Sequence, residues 1–134
     1  MGIKLTKETF DEFAFKNDIK HFKFNEFVSE KGGFIDGDLV LFLEKVRKIT
    51  KAPIIVTSGY RSVEKNIEIG GAKNSYHLKG EAVDISTLNL RADEVYIIIK
   101  EAMLSGIKGI IVYPRHIHFD LRPLEFFGLG SYNK

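Results

Sequence analysis

The sequence predicts an α+β fold in which helices pack on one face of a small, mostly antiparallel sheet. Three observations lead there. The stretches 39–49 and 91–105 carry apolar residues at helical spacing with charges opposite. The runs 54–57, 81–86, 109–113 and 116–122 are short and β-branched or alternating. The last two runs are joined only through Pro114-Arg115, which suits an antiparallel return.

Taken in order, Leu5, Phe10, Phe13 and Ala14 recur at helical spacing behind Thr6, so a short helix is expected over residues 7–16. Phe22, Phe24, Phe27 and Val28 follow, with Asn25 placed to cap one turn and Gly32-Gly33 to end it. Asp36 and Asp38 sit where caps belong for the clearest helix, whose stripe is Leu39, Val40, Phe42, Leu43, Val46 and Ile49. The run 54–57 reads as a buried strand, and Tyr60 and Arg61 emerge at its end. A helical turn over 63–69 is broken by Gly70-Gly71 ahead of a loop carrying Ser75 and His77.

In the strand 81–86, period two puts Ala82, Asp84 and Ser86 on one face and Val83 and Ile85 on the other. The next helix turns Ala92, Val95, Ile98, Ile99, Ala102 and Met103 inward and stops at Gly106. The last strand divides in the same way: Ile117, Phe119 and Leu121 face the core, while His116, His118 and Asp120 face away from it. Residues 123–134 show no periodicity and read as a surface segment.

With 134 residues, 44% of them hydrophobic, the chain can build a single core, so one domain spanning 1–134 is expected. A formal net charge of +2 is too small to call for nucleic acid. No apolar run reaches the roughly 20 residues of a membrane span, so no membrane insertion is expected. Lys4, Lys7, Glu8, Asp11 and Glu12 interrupt the amino-terminal segment, leaving no signal peptide and a chain that is cytoplasmic as synthesised. Cysteine is absent, which excludes disulfides and leaves histidine, carboxylate and carbonyl as metal donors.

Those donors occur in one pattern. His77 is followed seven positions later by Asp84, and His118 lies far along the chain on a different strand. Two imidazoles and a carboxylate are a set that binds zinc and leaves a tetrahedral position open for water. Asp84 sits in an otherwise apolar strand, where an unpartnered carboxylate costs several kcal/mol. A cation removes that cost.

The run Ser75-x-His77-x-x-Gly80-x-Ala82-x-Asp84, with His116-x-His118 after it, resembles the zinc D-alanyl-D-alanine carboxypeptidases and related peptidoglycan peptidases. Residues 57–62, Gly70-Gly71 and 118–122 are similar to their compact bacterial and phage branch, a fold shared with the Hedgehog domain. The resemblance implies zinc bound by His77, Asp84 and His118, with Arg61 anchoring substrate or steadying charge on the reacting carbonyl. Ser75 and Tyr60 are implied substrate contacts. Many such enzymes carry a glutamate three positions before the last ligand, where this chain has Arg115. His116 or Asp120 is left to take the proton of water, with His116 favoured, and Asp120 has the alternative of fixing a ligand histidine's tautomer.

The expected activity is hydrolysis of a peptidoglycan stem peptide or D-amino-acid dipeptide by a monomer. It would act as a D,D-carboxypeptidase or as an endolysin-type endopeptidase, reaching the wall as a phage lysin in the second case. A zinc-stabilised binding domain without peptidase activity is the alternative.

Overall fold

The computed structural model describes residues 2–132. In chain order the elements are β1 (Lys4–Leu5), α1 (Phe10–Lys16), α2 (Phe24–Phe27), β2 (Ile35–Asp36), α3 (Gly37–Thr50), β3 (Val56–Ser58) and α4 (Val63–Glu68). A 3-10 turn at Tyr76–Lys79 follows, then β4 (Ala82–Ser86), α5 (Ala92–Leu104), β5 (Gly109–Val112), β6 (His116–Asp120) and β7 (Phe126–Leu129). The five-stranded sheet has the order β3-β4-β6-β5-β7, while β1 and β2 form a separate ribbon. All its pairings are antiparallel except β5 with β7.

The α+β class is as the periodicities predict, and helices α3 and α5 supply the layer behind the sheet. Asp36 starts α3 by accepting the Asp38 N–H at 2.9 Å. Leu39, Val40, Leu43 and Val46 along α3 are fully buried, as are Val83, Ile85, Ile117 and Phe119 from β4 and β6. Phe42 meets Phe119 edge to face at 5.0 Å. Burying each such side chain contributes about 1.5–3 kcal/mol. The opposite faces of β4 and β6 are thereby free to carry polar groups.

Several local readings are corrected. Ala92 and Met103 lie outside the buried stripe of α5, with Met103 54% exposed, and Glu94 and Glu101 are buried instead. Glu101 gains a partner that periodicity cannot reveal, Lys45 of α3 at 2.7 Å. Asn25 does not cap α2; Glu26 in the first turn accepts the Lys23 N–H at 2.8 Å. The expected surface segment after residue 122 contributes β7, because parallel pairing with β5 satisfies a backbone that shows no periodicity of its own. Residues 133 and 134 of that segment lie outside the described residues. Among the described residues no helix is long and apolar enough to cross a membrane.

Glu44 clamps the segment before α2 onto α3. Its carboxylate accepts the His21 backbone N–H at 3.0 Å and the His21 Nδ1–H at 2.7 Å. Burial pushes the Glu44 carboxyl up, but the hydrogen bonds from His21 outweigh it and hold it below the ordinary 4.5. A depressed carboxylate contributes stability that is fully present above its unfolded value and is lost as pH falls through the folded one. Glu44→Gln is expected to lower the unfolding free energy by about 1–3 kcal/mol at neutral pH. The deficit should shrink below the ordinary glutamate value; urea titrations showing the same deficit in acid and at neutrality would contradict the clamp.

Candidate metal centre

Four local devices bring the polar groups together. The Ser75 hydroxyl opens the 3-10 turn by accepting the His77 N–H at 3.2 Å, and Gly80 closes it at φ 65. Only glycine fits that closure, since a Cβ there would lie 2.6 Å from the Phe34 carbonyl oxygen. The Gly80 carbonyl accepts the Asp36 N–H at 2.8 Å, which ties the turn to β2. Finally, the antiparallel register of β4 with β6 sets Asp84 directly opposite His118. Directly opposed residues have neighbouring Cβ atoms, so these two side chains must meet.

The tautomers follow from the partners. His77 Nδ1 lies 2.6 Å from the Gly59 carbonyl oxygen. A carbonyl can only accept, so Nδ1 carries the proton and Nε2 is a lone pair. That Nε2 is buried with no hydrogen-bond donor and faces Asp84 Oδ1 at 3.3 Å. Two acceptors held against each other in a buried site call for a cation between them. His118 Nδ1 lies 3.0 Å from the same Asp84 oxygen, while its Nε2 meets Asp120 Oδ2 at 2.6 Å. One ligand atom from each of His77, Asp84 and His118 lies within 4.8 Å of the others, so the donor set fits a single divalent ion.

Asp120 is fully buried. Its Oδ1 accepts from Arg122 N and Nε at 3.1 and 2.8 Å, and Oδ2 from Arg122 Nη2 at 2.6 Å. Space for it comes from Gly109, its β5 partner, where any side chain would collide with the carboxylate. Burial pushes the Asp120 carboxyl up, but Arg122 and His118 outweigh it and hold it well below the usual range. Burial likewise pushes the Asp84 carboxyl up, but the imidazoles beside it, His118 first, outweigh that rise and hold it below the usual carboxylate range. Burial draws His118 down, yet Asp120 and Asp84 outweigh it and push it up to about 9.

His116 shares the polar face of β6. Its Nε2 lies 3.9 Å from Asp84 Oδ2, and its Nδ1 is 2.6 Å from the Tyr132 hydroxyl. Burial holds its pKa below the ordinary histidine value. Arg61 lies in a cleft of about 550 Å³ that also takes in Asp84, Tyr60 and Glu30. Its Nη1 donates to Asn66 at 2.8 Å, and its Nε is buried without a partner. Tyr60 packs on Phe34 at 5.1 Å at the cleft wall, and the Ser75 hydroxyl is engaged in capping.

Three residues that touch these side chains escaped the sequence reading: Asn66, Arg122 and Tyr132. Asn66 had a weak signal in Gly71, where a side chain would collide with both Asn66 and Arg61.

The donor set is one that can hold a divalent ion, and residues 20–120 match the peptidase M15 family, to which the chain belongs. The family resemblance read from the motif is thus borne out. The chain is 32% identical to Peptidoglycan L,D-endopeptidase MepK of Escherichia coli (strain K12), and equally so to the proteins of that name from Escherichia coli O157:H7 and Shigella flexneri. Each match covers 78% of this chain and 60% of the relative, so the chain corresponds to little more than half of those proteins.

The geometry predicts that the purified protein takes up zinc and that Asp84→Ala, which removes the shared oxygen, abolishes uptake. Asp120→Asn should weaken zinc affinity by about 10- to 100-fold by releasing the His118 ring. Competition against a chromophoric chelator measures both; zinc affinity unchanged in Asp84→Ala would place the metal elsewhere.

Proposed function

We propose that the chain is a zinc-dependent peptidase that hydrolyses peptidoglycan peptides containing D-amino acids, cutting within the peptide rather than only at its end. The observation that carries the reading is the buried His77 Nε2, an acceptor with no donor, facing Asp84 Oδ1 at 3.3 Å. His77 Nε2, Asp84 and His118 Nδ1 would hold the ion. When bound, zinc supplies Lewis acidity that polarises a carbonyl and lowers the pKa of water.

The remaining work falls to side chains of this chain. His116 presents Nε2 beside Asp84 and, held neutral by burial, accepts the proton of the attacking water and returns it to the departing amine. Asp120 is the weaker candidate for that task, because both its oxygens are already engaged by Arg122 and His118 and no part of it is exposed. It orients His118 instead. Arg61, with a buried unpartnered Nε, offers charge to a substrate carboxylate or to the oxygen that becomes negative. Asn66 keeps that guanidinium in place.

Endopeptidase specificity is supported by the relatives, peptidoglycan L,D-endopeptidases by name, and the products separate it from D,D-carboxypeptidase activity. Mass spectrometry of defined muropeptides incubated with zinc-loaded protein should show internal cleavage, with no release of terminal D-alanine. His116→Ala is expected to lower kcat by about 100- to 10,000-fold while zinc content stays unchanged. Zinc-loaded protein that leaves every muropeptide intact would instead favour a binding domain.

A further inference from the structure

Each histidine at the site has one nitrogen turned toward Asp84 and the other anchored. For His77 the anchor is the Gly59 carbonyl, and for His118 it is the Asp120 carboxylate. For His116 it is the hydroxyl of Tyr132, a residue beyond β7 and outside the span that matches the peptidase family. We propose that Tyr132 is a positioning residue for the peptidase reaction: its hydroxyl oxygen accepts the Nδ1–H of His116, which leaves the His116 Nε2 lone pair facing Asp84.

The hydroxyl's partners define its role. The Tyr132 oxygen lies 3.2 Å from the Arg115 backbone nitrogen and 2.6 Å from His116 Nδ1. A backbone N–H can only donate, so Arg115 occupies one lone pair of that oxygen. The second lone pair is available to the imidazole, and the hydroxyl proton can turn to solvent because Tyr132 is 39% exposed. The ring is fixed as well. The Arg115 guanidinium sits 4.2 Å over it, and Tyr113 stacks on His116 at 4.3 Å with an interplanar angle of 11°. His116 is thereby held on its flank by Tyr113 and at Nδ1 by Tyr132. Its Nε2 edge, 3.9 Å from Asp84 Oδ2, is left to do chemistry. An uncharged anchor orients the imidazole without adding a further carboxylate to a site that already holds Asp84 and Asp120.

The inference rests on the peptidase reading for its catalytic consequence, whereas the tautomer it assigns is independent of activity. Tyr132→Phe keeps the stacked ring and removes only the hydroxyl. Long-range nitrogen–proton NMR of the histidines, in zinc-loaded protein at about pH 8, should show His116 protonated on Nδ1. In Tyr132→Phe the Nε2–H form should gain. Turnover should fall by about 10- to 100-fold. KM should stay within about twofold, since an oriented base acts in the transition state. In a His116→Ala background, Tyr132→Phe should cost nothing further, because the hydroxyl then has nothing to orient.

His116 protonated on Nε2 in the wild type, a tautomer unchanged in Tyr132→Phe, or an equal loss of turnover with and without His116 would each overturn the proposal. If the wild-type protein cleaves no muropeptide, the peptidase reading fails, and the NMR comparison alone still supports or overturns the placement of His116 by Tyr132.

Discussion

The register between β4 and β6 is the constraint on which the rest of the site depends. It pairs Asp84 with His118 and, two residues along, Ser86 with His116 and Ala82 with Asp120. Because side chains alternate faces with period two, slipping β4 by one residue along β6 would turn Asp84 into the core and Val83 and Ile85 out onto the polar face. The hydrophobic face therefore specifies the polar one. Helices α3 and α5, by burying Val83, Ile85, Ile117 and Phe119, hold the donors in place without touching them.

Electrostatics at the centre is a contest among few charges. Burial works against each ionised group, and each survives through a specific neighbour: Asp84 through His118, Asp120 through Arg122 and His118. Breaking any one contact leaves an uncompensated buried charge, which is costlier than never having had the pair. The series Arg122, Asp120, His118 and Asp84 is therefore one connected network, and it reaches the bare His77 Nε2 beside Asp84.

Much of this was legible in the residues. The alternation of β6 foretold which side His116, His118 and Asp120 share, and the spacing of His77 to Asp84 marked two of the donors before any fold was known. What escaped has a common physical origin. β7 has no periodicity and exists because β5 offers a free edge, and the buried Glu101 depends on Lys45 from another helix. Tyr132 and Arg122 act through partners they meet only after the sheet has formed, and Tyr132 lay in a segment read as surface. The start of α2 differs for a local reason: the Glu26 carboxylate reaches back to the Lys23 N–H, where local preference favours capping by Asn25.

The turn that carries His77 is stitched to the rest of the molecule at its closing glycine. Gly80 hands its carbonyl to Asp36, the residue that also starts α3, and rests against the backbone of Phe34. The signature decapeptide is consequently not a portable cassette. Grafted onto another scaffold, residues 75–84 would carry their donors but lose the ribbon and helix start that give the loop its shape, so a designer borrowing this centre must transplant the β1–β2 ribbon with it.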